Sequence, residues 1–145
     1  MKLSKNKFCS TCGRYANRGV SVDAVIIKDN QVLLIQRGVE PNKGFWGTPG
    51  GYVGWDESTE DAVQREVKEE TNLTVTKMRL IEVNSNPKRH PKQVINFVYR
   101  VEVKDGEVKH GDDAFDAKWF LLKNLPEEMA LDHRKNIEKT ISLTS

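Results

Sequence analysis

The sequence predicts a mixed α and β domain, of the α/β (α+β mixed) class. Three observations lead to this prediction: runs of apolar and β-branched residues typical of strands, an amphipathic helix in the middle of the chain, and a second helix at its end. The chain has 145 residues, 37% of them hydrophobic, which suits a single hydrophobic core. We therefore predict one domain over residues 18–145, preceded by a basic arm over residues 1–17.

A β-hairpin begins the predicted domain. The stretch from Val20 to Ile27 is apolar and β-branched, Asp29-Asn30 is typical of a tight turn, and Val32 to Gln36 predicts the returning strand. Residues 37–56 are rich in glycine and proline, with aromatic residues between them. We predict a loop there that brings backbone close to a neighbouring group.

The central helix is predicted to begin after Ser58. Ser58 and Asp61 have the spacing of a capping box, and Ala62, Val63 and Val67 form an apolar stripe at helical spacing. The helix therefore has one face for the core and another for solvent or a ligand.

Three strands and a terminal helix are predicted downstream, over residues 74–84, 93–103, 115–122 and 132–143. In the strand over 93–103, strict alternation places the apolar side chains from Ile95 to Val103 on one face. In the terminal helix, Ile137 and Ile141 have i, i+4 spacing. Strands on both sides of the central helix support the mixed class.

Charge is distributed unevenly along the chain. Residues 1–19 carry a charge of +5 and residues 51–73 a charge of −5, although the whole chain has a net charge of only +2. So small a net charge does not favour a nucleic-acid partner, and the acidic segment suits metal ions. No apolar run reaches the roughly 20 residues of a membrane span, and the start lacks a signal peptide. We therefore expect a cytoplasmic protein that does not enter a membrane.

The strongest chemical signal lies in the second half of the central helix. Glu66, Glu69 and Glu70 share one helical face, since each residue turns the helix by about 100°. Like charges at i, i+3 and i, i+4 repel each other, and a hard divalent cation such as Mg²⁺ or Mn²⁺ removes the repulsion. The alternative is an ordinary solvated acidic face. The glycine-rich loop just upstream favours the metal site.

The residues around this helix resemble the Nudix box. Gly51, Glu57 and the segment from Arg65 to Leu73 follow the pattern Gly-x5-Glu-x7-Arg-Glu-U-x-Glu-Glu-x-Gly-U, in which U is aliphatic. Asn72 replaces the last glycine, and asparagine is the residue next most tolerant of left-handed backbone. The resemblance implies a Nudix α/β/α sandwich around a mixed β-sheet. It also implies hydrolysis of the pyrophosphate bond in a nucleoside diphosphate linked to another moiety.

The resemblance implies metal ligands by position. Glu66, Glu69 and Glu70 would hold the metal, with the Gly51 carbonyl and Glu57 as further ligands. Two or three Mg²⁺ or Mn²⁺ ions would be bound together with the substrate.

The resemblance also implies catalytic roles for Glu57, Arg65, Glu66 and Glu69. Arg65 would orient the glutamates, and Glu57 would either pair with Arg65 or bind metal. Glu69 is the first candidate for the general base. Acids outside the box are the alternatives, and they are Asp116, Asp112 and Asp113.

The substrate is predicted from residues outside the box. The loop over 84–92 and its Pro87 look like those of small microbial ADP-ribose pyrophosphatases, so ADP-ribose, cleaved to AMP and ribose 5-phosphate, is the leading candidate. Arg89 could meet a phosphate or the terminal ribose, and the aromatic side chains of Phe45 and Tyr52 could stack on the adenine. The alternatives are NADH, a nucleotide sugar, an oxidised nucleoside triphosphate, or a nucleotide-sensing domain without catalysis.

The arm contains a Cys-x-x-Cys pair, Cys9 and Cys12, that resembles half of a zinc ribbon. A structural zinc needs four ligands, and the chain supplies only these two cysteines and three scattered histidines. We therefore expect reduced thiols rather than zinc, unless a partner chain completes the site. The resemblance leaves a homodimer open.

Overall fold

The computed structural model describes residues 8–11, 13–14 and 17–144. Over these residues it contains seven strands and two helices. The strands are β1 (Val20–Lys28), β2 (Gln31–Arg37), β3 (Trp46–Gly47), β4 (Gly50–Tyr52), β5 (Val75–Asn84), β6 (Ile95–Val103) and β7 (Ala114–Leu121), and the helices are α1 (Thr59–Thr71) and α2 (His133–Thr144).

The described strands form one mixed sheet. Strand β1 pairs in parallel with β6 and antiparallel with β4, and its end forms the predicted hairpin with β2. Strand β5 lies antiparallel to β6, while β2 pairs antiparallel with β3 and β7. Asp29 and Asn30 at the hairpin have positive φ angles of 52° and 60°, as a tight hairpin turn requires.

Both faces of the sheet are covered by a helix. On one face Ala62, Val63 and Val67 of α1 pack with Val22 and Tyr99. On the other face Ile137 of α2 packs with Val25 and Val98, among others. The predicted α/β/α sandwich around a mixed sheet is therefore confirmed. Strand β6 carries its alternating apolar residues on the α1 side, and Val98 is also fully buried on the α2 side.

Helix α1 has the predicted caps at both ends. The Ser58 side chain accepts from the Asp61 amide at 3.0 Å, and the Asp61 carboxylate accepts from the Ser58 amide at 3.1 Å. Asn72 ends the helix in the left-handed region with φ 68°, which is the conformation expected of its position. The helix that carries the glutamates is thereby fixed at its start and its end.

Residues 37–56 differ from the predicted loop because they contain the short strands β3 and β4. Strand β4 pairs with β1 through Val22 opposite Gly51. Glycine has low strand propensity, so local sequence does not reveal a strand that exists through its pairing with β1. The pairing fixes Gly50 and Gly51 beside the sheet.

The other boundaries agree with the predictions within two residues. Strand β6 begins at Ile95 instead of residue 93, because Gln93 has a positive φ of 56° that breaks the extended backbone. No helix in the described ranges is long and apolar enough to cross a membrane.

Candidate active site

Arg65 lies at the centre of the acidic face of α1. Its Nε and Nη2 donate to the two carboxylate oxygens of Glu57 at 3.0 and 2.7 Å. Its Nη1 donates to Glu66 at 2.7 Å and to Glu69 at 3.3 Å, and Nη2 also reaches the Tyr52 carbonyl at 3.0 Å. One guanidinium therefore ties three carboxylates to the backbone of β4.

Glu57 is the carboxylate most strongly held by this arginine. The paired hydrogen bonds from Arg65, and then the Gly54 amide at 2.6 Å, lower the pKa of Glu57 to about 2. Glu57 is therefore ionised throughout the neutral range. Of the two roles implied for it, the structure contains the pairing with Arg65.

Glu66 lies directly against Gly51. Its side chain is only 13% exposed, and a Cβ added at Gly51 would stand 2.4 Å from Glu66 Oε1. Any other residue at position 51 would push the carboxylate away. Withdrawal from solvent raises the pKa of Glu66, although the bond from Arg65 opposes the shift.

Glu70 points at the start of strand β4. Its Oε2 accepts from the Gly50 amide at 2.9 Å. Loss of solvent raises the pKa of Glu70 to about 8, and the nearby charges of Glu66 and Asp23 add to the shift. When Glu70 is ionised, neither solvent nor a close positive side chain offsets its negative charge fully.

The carboxylates of the acidic face are not arranged around a shared metal position. Within the described part of the chain, no three acidic, histidine or cysteine side chains converge closely enough to hold a metal ion as they stand. Arg65 explains this arrangement, because its guanidinium draws Glu57, Glu66 and Glu69 to itself. The donor set nevertheless fits a hard divalent cation, since the raised pKa values of Glu66 and Glu70 mark negative charge that a cation would relieve.

A cavity of about 730 Å³ opens beside Glu70. Glu70, Gly51 and Tyr52 line it, and so does Arg89. Tyr52 is 51% exposed, so its ring is available to a flat ligand group. Phe45, which the sequence analysis grouped with Tyr52, is absent from the described lining, and its backbone instead bonds to Arg37 and Asn42.

Arg89 reaches the cavity from the loop between β5 and β6. Its Nε and Nη2 donate to the two carboxylate oxygens of Asp132 at 2.5 and 3.1 Å. Its Nη1 is buried and has no hydrogen-bond partner among the described residues. A buried charged donor without an acceptor is costly, so this atom is suited to an acceptor on a ligand.

The alternative general bases lie away from this cavity. Asp112 and Asp113 are exposed, and Asp116 accepts from the adjacent Ala117 amide at 2.8 Å. Like Glu69, none of the three is among the described residues that line the cavity. Arg65 links Glu69 to Glu57 and Glu66, because it donates to all three carboxylates. The Glu69 side chain is 57% exposed. Cys12 lies outside the described residues, so the Cys9 and Cys12 prediction stays open.

A buried polar group on the α2 side was missed by sequence reasoning. Asp23 is 7% exposed, His133 6% and Thr48 3%, and Asn96 donates to Asp23 at 2.9 Å. Asp23 carries a signal that could have been used, because it is an isolated carboxylate within an apolar strand. His133 and Thr48 are distant in sequence and carry no such signal.

Capped helix α1, the sandwich and the arginine-held glutamates together define a Nudix domain, and comparison with known proteins agrees. The family model of the NUDIX domain matches residues 17–140. A curated ADP-ribose pyrophosphatase of Methanocaldococcus jannaschii is 44% identical over 138 residues, which cover 94% of this chain and 81% of that protein. The NAD-capped RNA hydrolase NudC of Haemophilus influenzae is 32% identical over 93% of this chain, which spans only 53% of NudC.

Solved structures support the same assignment. The NUDIX domain of Shewanella oneidensis NrtR complexed with ADP ribose has a TM-score of 0.81 and 26% identity, covering 90% of this chain and 91% of that one. A bifunctional NMN adenylyltransferase/ADP ribose pyrophosphatase from Francisella tularensis, complexed with AMP and Mn ion, has a TM-score of 0.72 and 29% identity, covering 88% and 41%. The chain belongs to the Nudix family and is a Nudix hydrolase.

Proposed function

We propose that this protein hydrolyses ADP-ribose to AMP and ribose 5-phosphate with the help of Mg²⁺ or Mn²⁺. The observation that carries the proposal is Glu70, a poorly compensated carboxylate that opens into a cavity also lined by Tyr52 and Arg89. The similarity to an ADP-ribose pyrophosphatase over 94% of the chain supports this substrate.

In this proposal Glu66 and Glu70 hold the metal, together with Glu69 and the Gly51 carbonyl. The bonds from Arg65 to Glu66 and Glu69 must loosen when metal binds, whereas the bidentate bond to Glu57 can persist. Two or three ions would be bound with the substrate. Bound metal would neutralise pyrophosphate charge and lower the pKa of water.

The reaction needs a base for the attacking water, and we assign that role to Glu69. Its exposed carboxylate can accept the water proton while the water oxygen bonds to phosphorus. The bridging P–O bond then breaks, and the electron pair leaves on the other phosphate. Arg65 keeps the Glu69 carboxylate directed toward the other acids before substrate arrives.

The organic part of the substrate would occupy the cavity. Tyr52 can stack on the adenine, since half of its side chain surface is exposed at the mouth of the site. Arg89 Nη1 can donate to a ribose or phosphate oxygen, because no described residue accepts from it.

A substrate panel with product identification tests this function. ADP-ribose, NADH, a UDP-sugar and 8-oxo-dGTP are incubated with the protein and Mg²⁺, and the products are separated by chromatography. We expect AMP and ribose 5-phosphate from ADP-ribose at the highest kcat/KM, and a loss of kcat by orders of magnitude in Glu69→Gln. Retained ADP-ribose binding without turnover of any compound would contradict an enzymatic role.

NADH is the second candidate substrate. The identity of 32% to a NAD-capped RNA hydrolase favours it, because NADH and ADP-ribose share the ADP half. A kcat/KM for NADH above that for ADP-ribose would replace the first candidate and leave the metal site unchanged.

The boundary, assembly and location of the protein stay predictions. We propose a domain over 18–145 behind the basic arm, a homodimer and a cytoplasmic location, with no nucleic-acid partner. Light scattering of the purified chain tests the dimer.

A further inference from the structure

His133, the first residue of α2, is buried, and α2 covers the sheet face opposite the acidic helix. The His133 side chain stands against the end of β3, where a Cβ added at Gly47 would lie 2.7 Å from His133 Nδ1. His133 also lines the cavity. The glycine at position 47 is therefore what allows the imidazole to approach this loop.

Backbone hydrogen bonding fixes the tautomer of this histidine. The Thr48 amide donates to His133 Nδ1 at 2.9 Å, and the Thr48 hydroxyl lies 3.2 Å from the same atom. Nδ1 must therefore be unprotonated, so the ring proton of the neutral side chain is on Nε2. Nε2 faces Asp23 Oδ2 at 3.7 Å.

The same loop is also held from the side of α1. Two residues after Thr48, the Gly50 amide donates to Glu70, and Gly50 is packed so closely on β1 that a Cβ would lie 2.4 Å from Asp23 Oδ1. The backbone from Gly47 to Gly50 is thus held by hydrogen bonds from the Thr48 amide to His133 and from the Gly50 amide to Glu70. A shift at Thr48 would therefore displace the Gly50 amide and the Gly51 carbonyl, which follow within three residues.

We infer that His133 is a positioning residue, which fixes the segment over 47–51 so that its backbone presents the Gly50 amide to Glu70 and the Gly51 carbonyl to the proposed metal site. The inference rests on the proposed metal-dependent hydrolysis for its kinetic consequence. His133 acts through Thr48 and touches neither the reacting atoms nor the proposed metal ligands.

Two substitutions at this position separate positioning from packing. His133→Ala removes the acceptor for the Thr48 amide, while His133→Asn keeps one, because asparagine also carries an acceptor on its Cγ. Ile137→Val, one turn further along α2 and fully buried, is the matched control for a small loss of packing. Unfolding curves verify that all three variants are folded.

The measurements are amide hydrogen exchange at Gly50 in the metal-free protein and the Mg²⁺ dependence of ADP-ribose hydrolysis. In His133→Ala we expect exchange at Gly50 about tenfold faster and a half-saturating Mg²⁺ concentration about 10- to 100-fold higher, as for other residues that orient metal ligands. His133→Asn should recover most of both effects, and Ile137→Val should show neither.

Gly50 exchange in His133→Ala that equals that in Ile137→Val would overturn the inference. The same holds if His133→Asn is as impaired as His133→Ala. If the wild-type protein does not hydrolyse ADP-ribose, the proposed function fails, while the exchange comparison still decides the role of His133.

Discussion

Two arginines, Arg65 on the acidic face of α1 and Arg89 in the cavity lining, differ in how their donors are used. Arg65 donates to three carboxylates and a carbonyl, and its side chain is 36% exposed. Arg89 is 11% exposed and paired with Asp132 alone, and its Nη1 has no acceptor among the described residues. Arg65 thus organises the protein's own acids, whereas the unpartnered Nη1 of Arg89 supports the proposal that Arg89 donates to a ligand.

The largest expected effect comes from the acids that Arg65 organises. Glu66→Gln removes a proposed metal ligand at the point where the carboxylate touches Gly51, so we expect kcat to fall by about 10²- to 10³-fold. Metal-free stability should change little, because glutamine still offers an oxygen to Arg65 and carries no charge that withdrawal from solvent would penalise. Steady-state kinetics at saturating Mg²⁺ measures the effect. Glu107→Gln, an exposed acid with 77% of its side chain accessible, is the control and should match wild type.

Loss of the paired donors of the Arg65 guanidinium should have the next largest effect on kcat. Arg65→Lys keeps the positive charge but cannot bond two oxygens of Glu57 and reach Glu66 at once. We expect kcat to fall about 10- to 100-fold, with KM nearly constant, because the glutamates lose their orientation. Arg79→Lys on the exposed face of β5 is the control. An increase in KM as large as the loss in kcat would mean that Arg65 contacts substrate directly.

Substitution of Arg89 should have a smaller effect, which falls on KM. Arg89→Lys removes the free Nη1 donor and the bidentate pairing with Asp132, so KM for ADP-ribose should rise about tenfold while kcat changes little. Lys88→Met removes a neighbouring exposed positive charge and serves as the control. A KM that rises in Lys88→Met but not in Arg89→Lys would show that the loop acts through its charge alone.

The smallest expected effect is a pH dependence of stability. Because the folded-state pKa of Glu70 is raised from 4.5 to about 8, the metal-free folded protein keeps a proton that the unfolded chain releases over this range. Its Tm should therefore fall by a few degrees between about pH 5 and pH 8. Mg²⁺ should raise Tm more at pH 8 than at pH 6, since its ligands must be deprotonated.

A control variant isolates the contribution of Glu70 to this slope. Glu70→Gln should flatten the decline in Tm and remove most of the Mg²⁺ effect. Glu57 acts in a different window, because its pKa is lowered to about 2, so its contribution to stability is lost only as pH falls from 4.5 toward 2. A slope unchanged in Glu70→Gln would assign the pH dependence to other groups.

Sequence patterns predicted most of the fold because they depend on local chemistry. The capping box at Ser58, the hairpin turn at Asp29-Asn30 and the left-handed Asn72 each require only their neighbours. Strand β4 escaped prediction, since glycine has low strand propensity and the strand exists through its pairing with β1.

Only the part of the site that depends on local spacing could be predicted. The glutamates of α1 share a helical face, so their spacing reveals them. The hydrogen bond from the Thr48 amide to His133 joins residues 85 positions apart. The bond from the Gly50 amide to Glu70 forms only because β4 packs beside α1. Such contacts follow from tertiary packing and leave no pattern in a single sequence.

The most direct test of the account is the binding of Mn²⁺ by the acidic face. Electron paramagnetic resonance titration counts the Mn²⁺ ions bound to wild type, to a Glu66→Gln/Glu70→Gln double variant and to Glu107→Gln, each with and without AMP. We predict that wild type and Glu107→Gln bind Mn²⁺ equally and that the double variant loses it. Undiminished Mn²⁺ binding by the double variant would contradict the assignment of the metal site to these glutamates.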